Sequence, residues 1–201
     1  RSISHDLRSP LTSISGNAEN LLTNEEKLSG EKRQKIYHDI YDDSMWLINL
    51  VENLLSVTRI ENGTMELNIQ GEVAEEVIEE ALKHVNRRGK QQKITVDCEE
   101  ILIAKMDVKL IFQVLINLVD NAVKYTPKGA EIIVGADKEG DKVAFFVKDN
   151  GQGLTAEQKE KVFDMYYTVN NTVSDSRRGM GLGLPLCQAI VQAHGGKLKI
   201  Y

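Results

Sequence analysis

The chain has 201 residues, 41% of them hydrophobic and 27% charged, with a formal net charge of −5 and a pI near 5.5. That length and apolar content suffice for one or two globular domains, each with a buried core. The acidic balance offers none of the broad basic surface that phosphate-backbone binding requires, so no nucleic-acid partner is expected.

In chain order, the first sixty residues read as two helices around a polar turn. Ile3, Leu7, Leu11, Ile14, Ala18 and Leu21 form an apolar stripe, "TNEEKLSGE" supplies turn residues, and Ile36, Ile40, Leu47, Leu50, Leu54 and Val57 form a second stripe. Two helices alone bury too little surface, so the stripes are expected to meet a second hairpin in a four-helix homodimer. The pattern changes at "RIENGTMEL". A domain junction is expected there, giving an all-α unit at 1–65 and a mixed unit at 66–201.

In the second unit "AEEVIEEALKHV" is helical and "KITVDCEE" alternates like a strand, while "VKLIFQVLINLVDNAVKY" is a long helix. Two strands joined at Glu139-Gly140-Asp141 make a hairpin. Thr155 and Gln158 form a capping box for a short helix, and "GLGLPLCQAIVQAHGG" is a helix entered through glycines and closed by a Gly pair. Helices and antiparallel strands in separate runs predict an α+β sandwich. Cys98 and Cys187 lack metal-ligand or disulfide spacing and read as small buried hydrophobes of a reducing compartment. No run of 18 apolar residues and no signal-peptide pattern occurs. The first stripe runs without a cap and "GGKLKIY" reads as a strand that stops as it begins, which predicts a fragment of a larger protein.

The chemistry-bearing residues begin on the long helix. Ile111, Leu115, Leu118 and Ala122 form its core stripe, and Gln113, Asn117, Asn121 and Lys124 the opposite one. The two asparagines, one turn apart, offer amide oxygens that suit a hard cation completed by water and phosphate; a solvated face is the plainer alternative. In "KDNGQG", Asp149 ends a strand and can accept a proton from a base amino group, while Gly151 and Gly153 allow backbone to approach a planar ligand. "RRGMGLGLPL" spaces Gly179, Gly181 and Gly183 ahead of a helix start, where free N–H groups attract phosphate. Together these features predict a nucleotide site with a lid.

The chain resembles the sensor histidine kinases of two-component systems over nearly its whole length. "SHDLRSPLTSI" is similar to that family's phospho-acceptor box, "NLVDNAVKYTP" to its N box, "KDNGQGL" to its first glycine box, "KVFDMYY" to its F box and "RRGMGLGLPLCQAIVQAHGGKL" to its second glycine box. The resemblance implies a helical hairpin forming a dimeric four-helix bundle, followed by an ATP-binding α+β sandwich of the Bergerat type. It implies that His5 is phosphorylated by ATP and passes the phosphoryl group to an Asp of a response regulator, which docks on the hairpin near His5. Asp6 would hold the proton on the second imidazole nitrogen, and Ser9, where phosphatase-competent members carry Thr or Asn, keeps a hydroxyl for orienting water. Asn121 would hold Mg²⁺, with Asn117 on the phosphate side. Lys124 and Tyr125 would contact phosphate and adenine, and Asp149, Gly151 and Gly153 would form the adenine pocket. Gly179, Gly181, Leu182 and Gly183 would meet the phosphates, Phe163 would anchor the near end of the lid, and Arg177 or Arg178 would neutralise phosphate. The implied location is the cytoplasmic part of a membrane-anchored bacterial sensor, anchored through segments outside these residues. A hydrolytic ATPase of the same fold would favour Glu at position 117, and a non-catalytic scaffold would not need Asn121, Asp149 and the glycines.

Overall fold

A computed structural model describes residues 3–63, 66–85, 92–98, 101–169 and 181–201, without the side chains of residues 3–6, 25 and 61. Helix α1 (Ile3–Asn24) passes through Pro10 and is followed by a 3₁₀ turn (Glu25–Lys27) and the 32-residue helix α2 (Gly30–Glu61). Ser29 starts α2 by accepting from the Lys32 N–H, which meets one of the orphan donors of a helix start. The two helices pack together as a hairpin. The expected stripe of α2 is its covered face, with Leu50 and Val57 fully buried.

A second apolar stripe on α2 was not anticipated. Tyr37, Tyr41, Met45, Ile48, Val51 and Leu55 are all exposed and recur every three or four residues, so they share one face.

The mixed unit follows in the order β1 (Gln70–Val73), α3 (Ala74–His84), β2 (Lys93–Asp97), β3 (Ile103–Met106), α4 (Val108–Tyr125), β4 (Glu131–Glu139), β5 (Lys142–Asp149), α5 (Ala156–Lys161) and α6 (Gly183–Ala193). Strands β2, β4 and β5 form one sheet, and β1 pairs with β3 in a separate antiparallel ribbon. The expected hairpin is present, β4 and β5 pairing from Ile132–Asp149 to Glu139–Lys142 with Gly140 at positive φ in the turn.

Two expectations need correction, and one element was not foreseen. Strand β2 runs parallel to β4, because the chain crosses back through α4 between them, so the sheet is mixed where purely antiparallel pairing was expected. The β1–β3 ribbon was not foreseen, since four-residue strands carry too little period-2 signal. Residues 197–201 form no strand, although Leu198 packs on the core.

Helices α3, α4 and α6 cover one face of the three-stranded sheet. Ile78, Leu115, Val119, Ile132, Val134, Leu186 and Ile190 are all but inaccessible there. The C-terminal part of α2 joins this core: Val57 is buried within it, Ile60 packs on it, α2 lies against α6, and Gln113 Nε2 donates to Asn53 Oδ1 at 3.0 Å. Gln113 therefore bridges to the hairpin and does not belong to a solvated stripe.

Candidate functional site

Helix α4 organises the site. Its start is fixed by Asp107, whose Oδ1 accepts from the Lys109 and Leu110 N–H groups while Oδ2 accepts from Asn68 N–H. A buried carboxylate is tolerated there because backbone donors at a helix N-terminus satisfy it. The buried face of α4 is Ile111, Val114, Leu115, Val119 and Ala122, so Leu118 of the expected stripe is only partly covered.

Asn117 and Asn121 are partly buried on the flank of α4. Asn117 Oδ1 faces the start of α6, where a Cβ added to Gly183 would lie 3.7 Å from it. Its amide nitrogen is buried without a hydrogen-bond partner among the described residues. The neighbouring group is the Cys187 thiol, which donates to Val114 C=O at 3.7 Å. Burial pushes that thiol up to about 12, and the Asn117 amide pulls weakly the other way. Sulfur is a poor acceptor, so it leaves the amide donor unsatisfied, and such a donor in the interior costs roughly 1–3 kcal/mol.

The start of α6 is the second half of the site. Leu182 is its N-cap residue and gives no side-chain cap, so the first N–H groups of the helix lack a side-chain acceptor on the cap side among the described residues. Those donors and the positive end of the helix dipole form a place for an anion beside Asn117. Gly181, at φ +65, precedes this turn. A Cβ there would collide with the Tyr167 carbonyl and the backbone of Tyr166. Tyr166 N–H donates to Gly181 C=O at 3.0 Å, and Tyr166 itself sits at φ 68. The two ends of the segment between residues 166 and 181 are thereby tied together at the edge of the anion place. Phe163, half-buried, leads into this tie.

The other flank is the turn after β5. Asp149 is exposed and its Oδ1 accepts from Gly151 N–H at 2.8 Å. A Cβ on Gly151 would press on that same carboxylate oxygen and on the Thr126 methyl, so glycine is what lets the turn close against the C-terminal end of α4. Gly153 adopts φ +68 in open space. Lys124 and Tyr125 are exposed at the last turn of α4, the ammonium 5.1 Å from the ring centroid. A carboxylate, an aromatic ring and a lysine thus stand at one end of the α4 flank, and an anion place at the other.

No three His, Cys, Asp and Glu side chains gather as a metal cluster among the described residues. The fit for Mg²⁺ is through amide oxygen: Asn121, one turn from Asn117, is available beside the anion place, and Mg²⁺ held by few protein ligands takes the rest of its shell from phosphate and water.

His5 and Asp6 lie in the backbone of α1, but their side chains are outside the described residues. Arg177, Arg178 and Gly179 also fall outside them. Ser9 is exposed on α1, and a groove along that helix is lined by Leu7, Arg8, Leu11, Thr12, Ser15 and Glu19. The described structure thus sets Gly183 at the start of α6 against Asn117, with Asn121 one turn further along α4, and brings Gly151 and Asp149 of the turn after β5 against the end of α4 at Tyr125 and Thr126.

Comparison with known proteins fits this geometry. Residues 1–63 match the His Kinase A (phospho-acceptor) domain, and residues 106–201 match the histidine kinase-, DNA gyrase B-, and HSP90-like ATPase domain. The chain is 44% identical over 200 residues to the sensor protein KdpD of Clostridium acetobutylicum and 36% identical over 200 residues to KdpD of Escherichia coli. Each alignment takes in 99% of this chain and 22% of the relative, so the chain spans about a fifth of those proteins. Among solved structures, Acinetobacter baumannii histidine kinase AdeS superposes with a TM-score of 0.75 at 24% identity, over 96% of this chain and 88% of that one. Histidine kinase ThkA, solved in complex with response regulator protein TrrA, superposes with a TM-score of 0.67 at 26% identity, over 96% of this chain and 54% of that one.

Proposed function

The chain belongs to the sensor histidine kinases of two-component systems, and from that premise we propose that it binds ATP on the α4 flank, phosphorylates His5 and passes the phosphoryl group to an aspartate of a response regulator. The observation that carries the reading is the start of α6, without a side-chain cap, set against Asn117 of α4. A helix start without a side-chain cap is satisfied by phosphate oxygens.

In this reading Asp149 accepts from the adenine amino group, Gly151 and Gly153 shape its pocket, and Tyr125 lies along the base. Lys124, Arg178 and the backbone of Gly179, Gly181, Leu182 and Gly183 serve the phosphates, and Phe163 anchors the neck between Tyr166 and Gly181. Asn121 would hold Mg²⁺, which would supply charge neutralisation at the phosphates. A neutral His5 nitrogen attacks the γ-phosphorus, a P–N bond forms as the P–O bond to ADP breaks, and Asp6 holds the proton on the other nitrogen. The Asp of the regulator then takes the phosphoryl group in a second in-line transfer, and Ser9 serves to orient water for the separate hydrolysis of the aspartyl phosphate to free phosphate.

The division at about residue 65 separates the phospho-acceptor hairpin from the nucleotide unit. The exposed stripe from Tyr37 to Leu55 fits the same stripe of a second copy in a four-helix homodimer, since about 25 cal/mol is gained per Å² of apolar surface removed from water. The groove on α1 just beyond His5 fits the regulator. No helix among the described residues is long and apolar enough to cross a membrane. A sensor role at the membrane therefore rests on segments outside this sequence.

The test is incubation with γ-labelled ATP and Mg²⁺. Acid-labile, base-stable label in the unmodified chain that disappears in both His5→Gln and Asn121→Ala is the expected result. Retention of label in His5→Gln would place the acceptor elsewhere, and ATP binding without any label would leave a nucleotide-binding module only.

A further inference from the structure

Helices α4 and α6 lie antiparallel, and three contacts give their register: Gly183 faces Asn117, Cys187 Sγ donates to Val114 C=O, and His194 meets Asp107. Most of the contact between them is aliphatic, from Val114, Leu115, Leu186 and Ile190. Apolar contact is non-directional and resists sliding poorly. A slip of one residue displaces one helix along the other by about 1.5 Å, enough to take the start of α6 off the amide of Asn117.

The polar tie against such a slip is at the far end. His194 Nε2 accepts from the Asp107 backbone N–H at 3.0 Å, and its Nδ1 lies 2.8 Å from Ile190 C=O. These partners determine the tautomer. A nitrogen that accepts from N–H carries the lone pair, so Nδ1 carries the hydrogen and donates to the carbonyl. The ring therefore joins the last turn of α6 to the residue that caps α4. Asp107 has no slack, because its carboxylate is held by three backbone donors. Neither lysine nor a protonated imidazole could accept that N–H.

We propose that His194 is a positioning residue for the nucleotide site: by accepting the Asp107 N–H it holds α6 in register on α4 and so keeps the helix start at Gly183 against Asn117. It touches no nucleotide and acts from the opposite end of the helix pair. The inference rests on the nucleotide reading for its consequence and on the α4–α6 register for its mechanism, and the two are tested separately.

Compare His194→Gln, which can still accept the Asp107 N–H, with His194→Asn, which can reach only the near carbonyl, and with His194→Ala. Each is measured at a temperature where all are folded, for Mg·ATP affinity and for hydrogen exchange of the Leu186 amide, which donates to Leu182 C=O in the first turn of α6. The expected result is ATP affinity about fivefold weaker in the Asn and Ala variants and within about twofold of the parent in Gln, the fold-change of one net hydrogen bond, with faster Leu186 exchange only in Asn and Ala. A merely structural histidine would lower the melting temperature of all three variants and leave both readouts alike, which overturns the proposal. So would equal loss in Gln and Ala. If the parent itself binds no ATP, the nucleotide reading falls, and the exchange pattern alone decides for or against the register role.

Discussion

Cys187 shows how one side chain reports on the packing around it. Its thiol is buried beneath the start of α6, and desolvation raises it from an ordinary value of 9.0 to about 12 because the thiolate is the form that burial disfavours. The folded state therefore holds the proton more tightly than the unfolded state. The contribution to stability is complete below pH 9 and is lost as pH rises from 9 toward 12, as the unfolded chain ionises first. Cys187→Ala removes this linkage. Thermal melts at pH 8 and pH 10.5 are expected to show a smaller alkaline loss in that variant than in the parent, and equal losses would mean that the sulfur is reached by water. For the same reason Cys187 is expected to resist alkylation until the chain unfolds.

At the scale of the element, α2 is apolar on two faces. One, through Leu50 and Val57, is buried within the chain; the other, through Tyr41, Ile48 and Leu55, is open. A helix with two apolar faces in water calls for a second partner. Ile48→Glu places a charge in the middle of the open stripe, opposite its own copy if two hairpins pair. Sedimentation is expected to show dimerisation weakened at least about tenfold, or ~1.4 kcal/mol, while the melting of the nucleotide unit stays unchanged because Ile48 is no part of its core. An unaltered dimer would place the interface on another face.

At the scale of the whole molecule, the end of α2 is docked on α4 and α6 through Val57, Ile60 and the Asn53–Gln113 hydrogen bond. The hairpin and the nucleotide unit thus share a core at this junction, which includes the helix that carries Asn117. A double-mutant cycle of Asn53→Ala and Gln113→Ala, read by urea unfolding, is expected to give a coupling of about 0.5–1.5 kcal/mol, the range for a half-buried neutral hydrogen bond. A coupling of zero would show the two units undocked in solution.

Much of this protein is legible in the order of its residues. Stripes at helical spacing marked α1, α2 and α4, and the capping box at Thr155 and Gln158 is formed with both of its hydrogen bonds. The Gly pair after α6 closes it through Gly195 N–H to Gln192 C=O and Gly196 N–H to Val191 C=O. These are local interactions, within four or five residues, so neighbours in sequence suffice to determine them. The site residues were likewise visible as motif strings, because backbone approach and helix starts demand glycine at set spacings. What only the tertiary structure decided is long-range. Parallel pairing of β2 with β4, the β1–β3 ribbon, the bond from Gln113 to the hairpin, the burial of Asn117 and the reach of His194 to Asp107 each join residues tens of positions apart. Periodicity says which face of a helix is apolar; which partner covers that face, and which polar group is trapped beneath it, is determined by how whole elements pack.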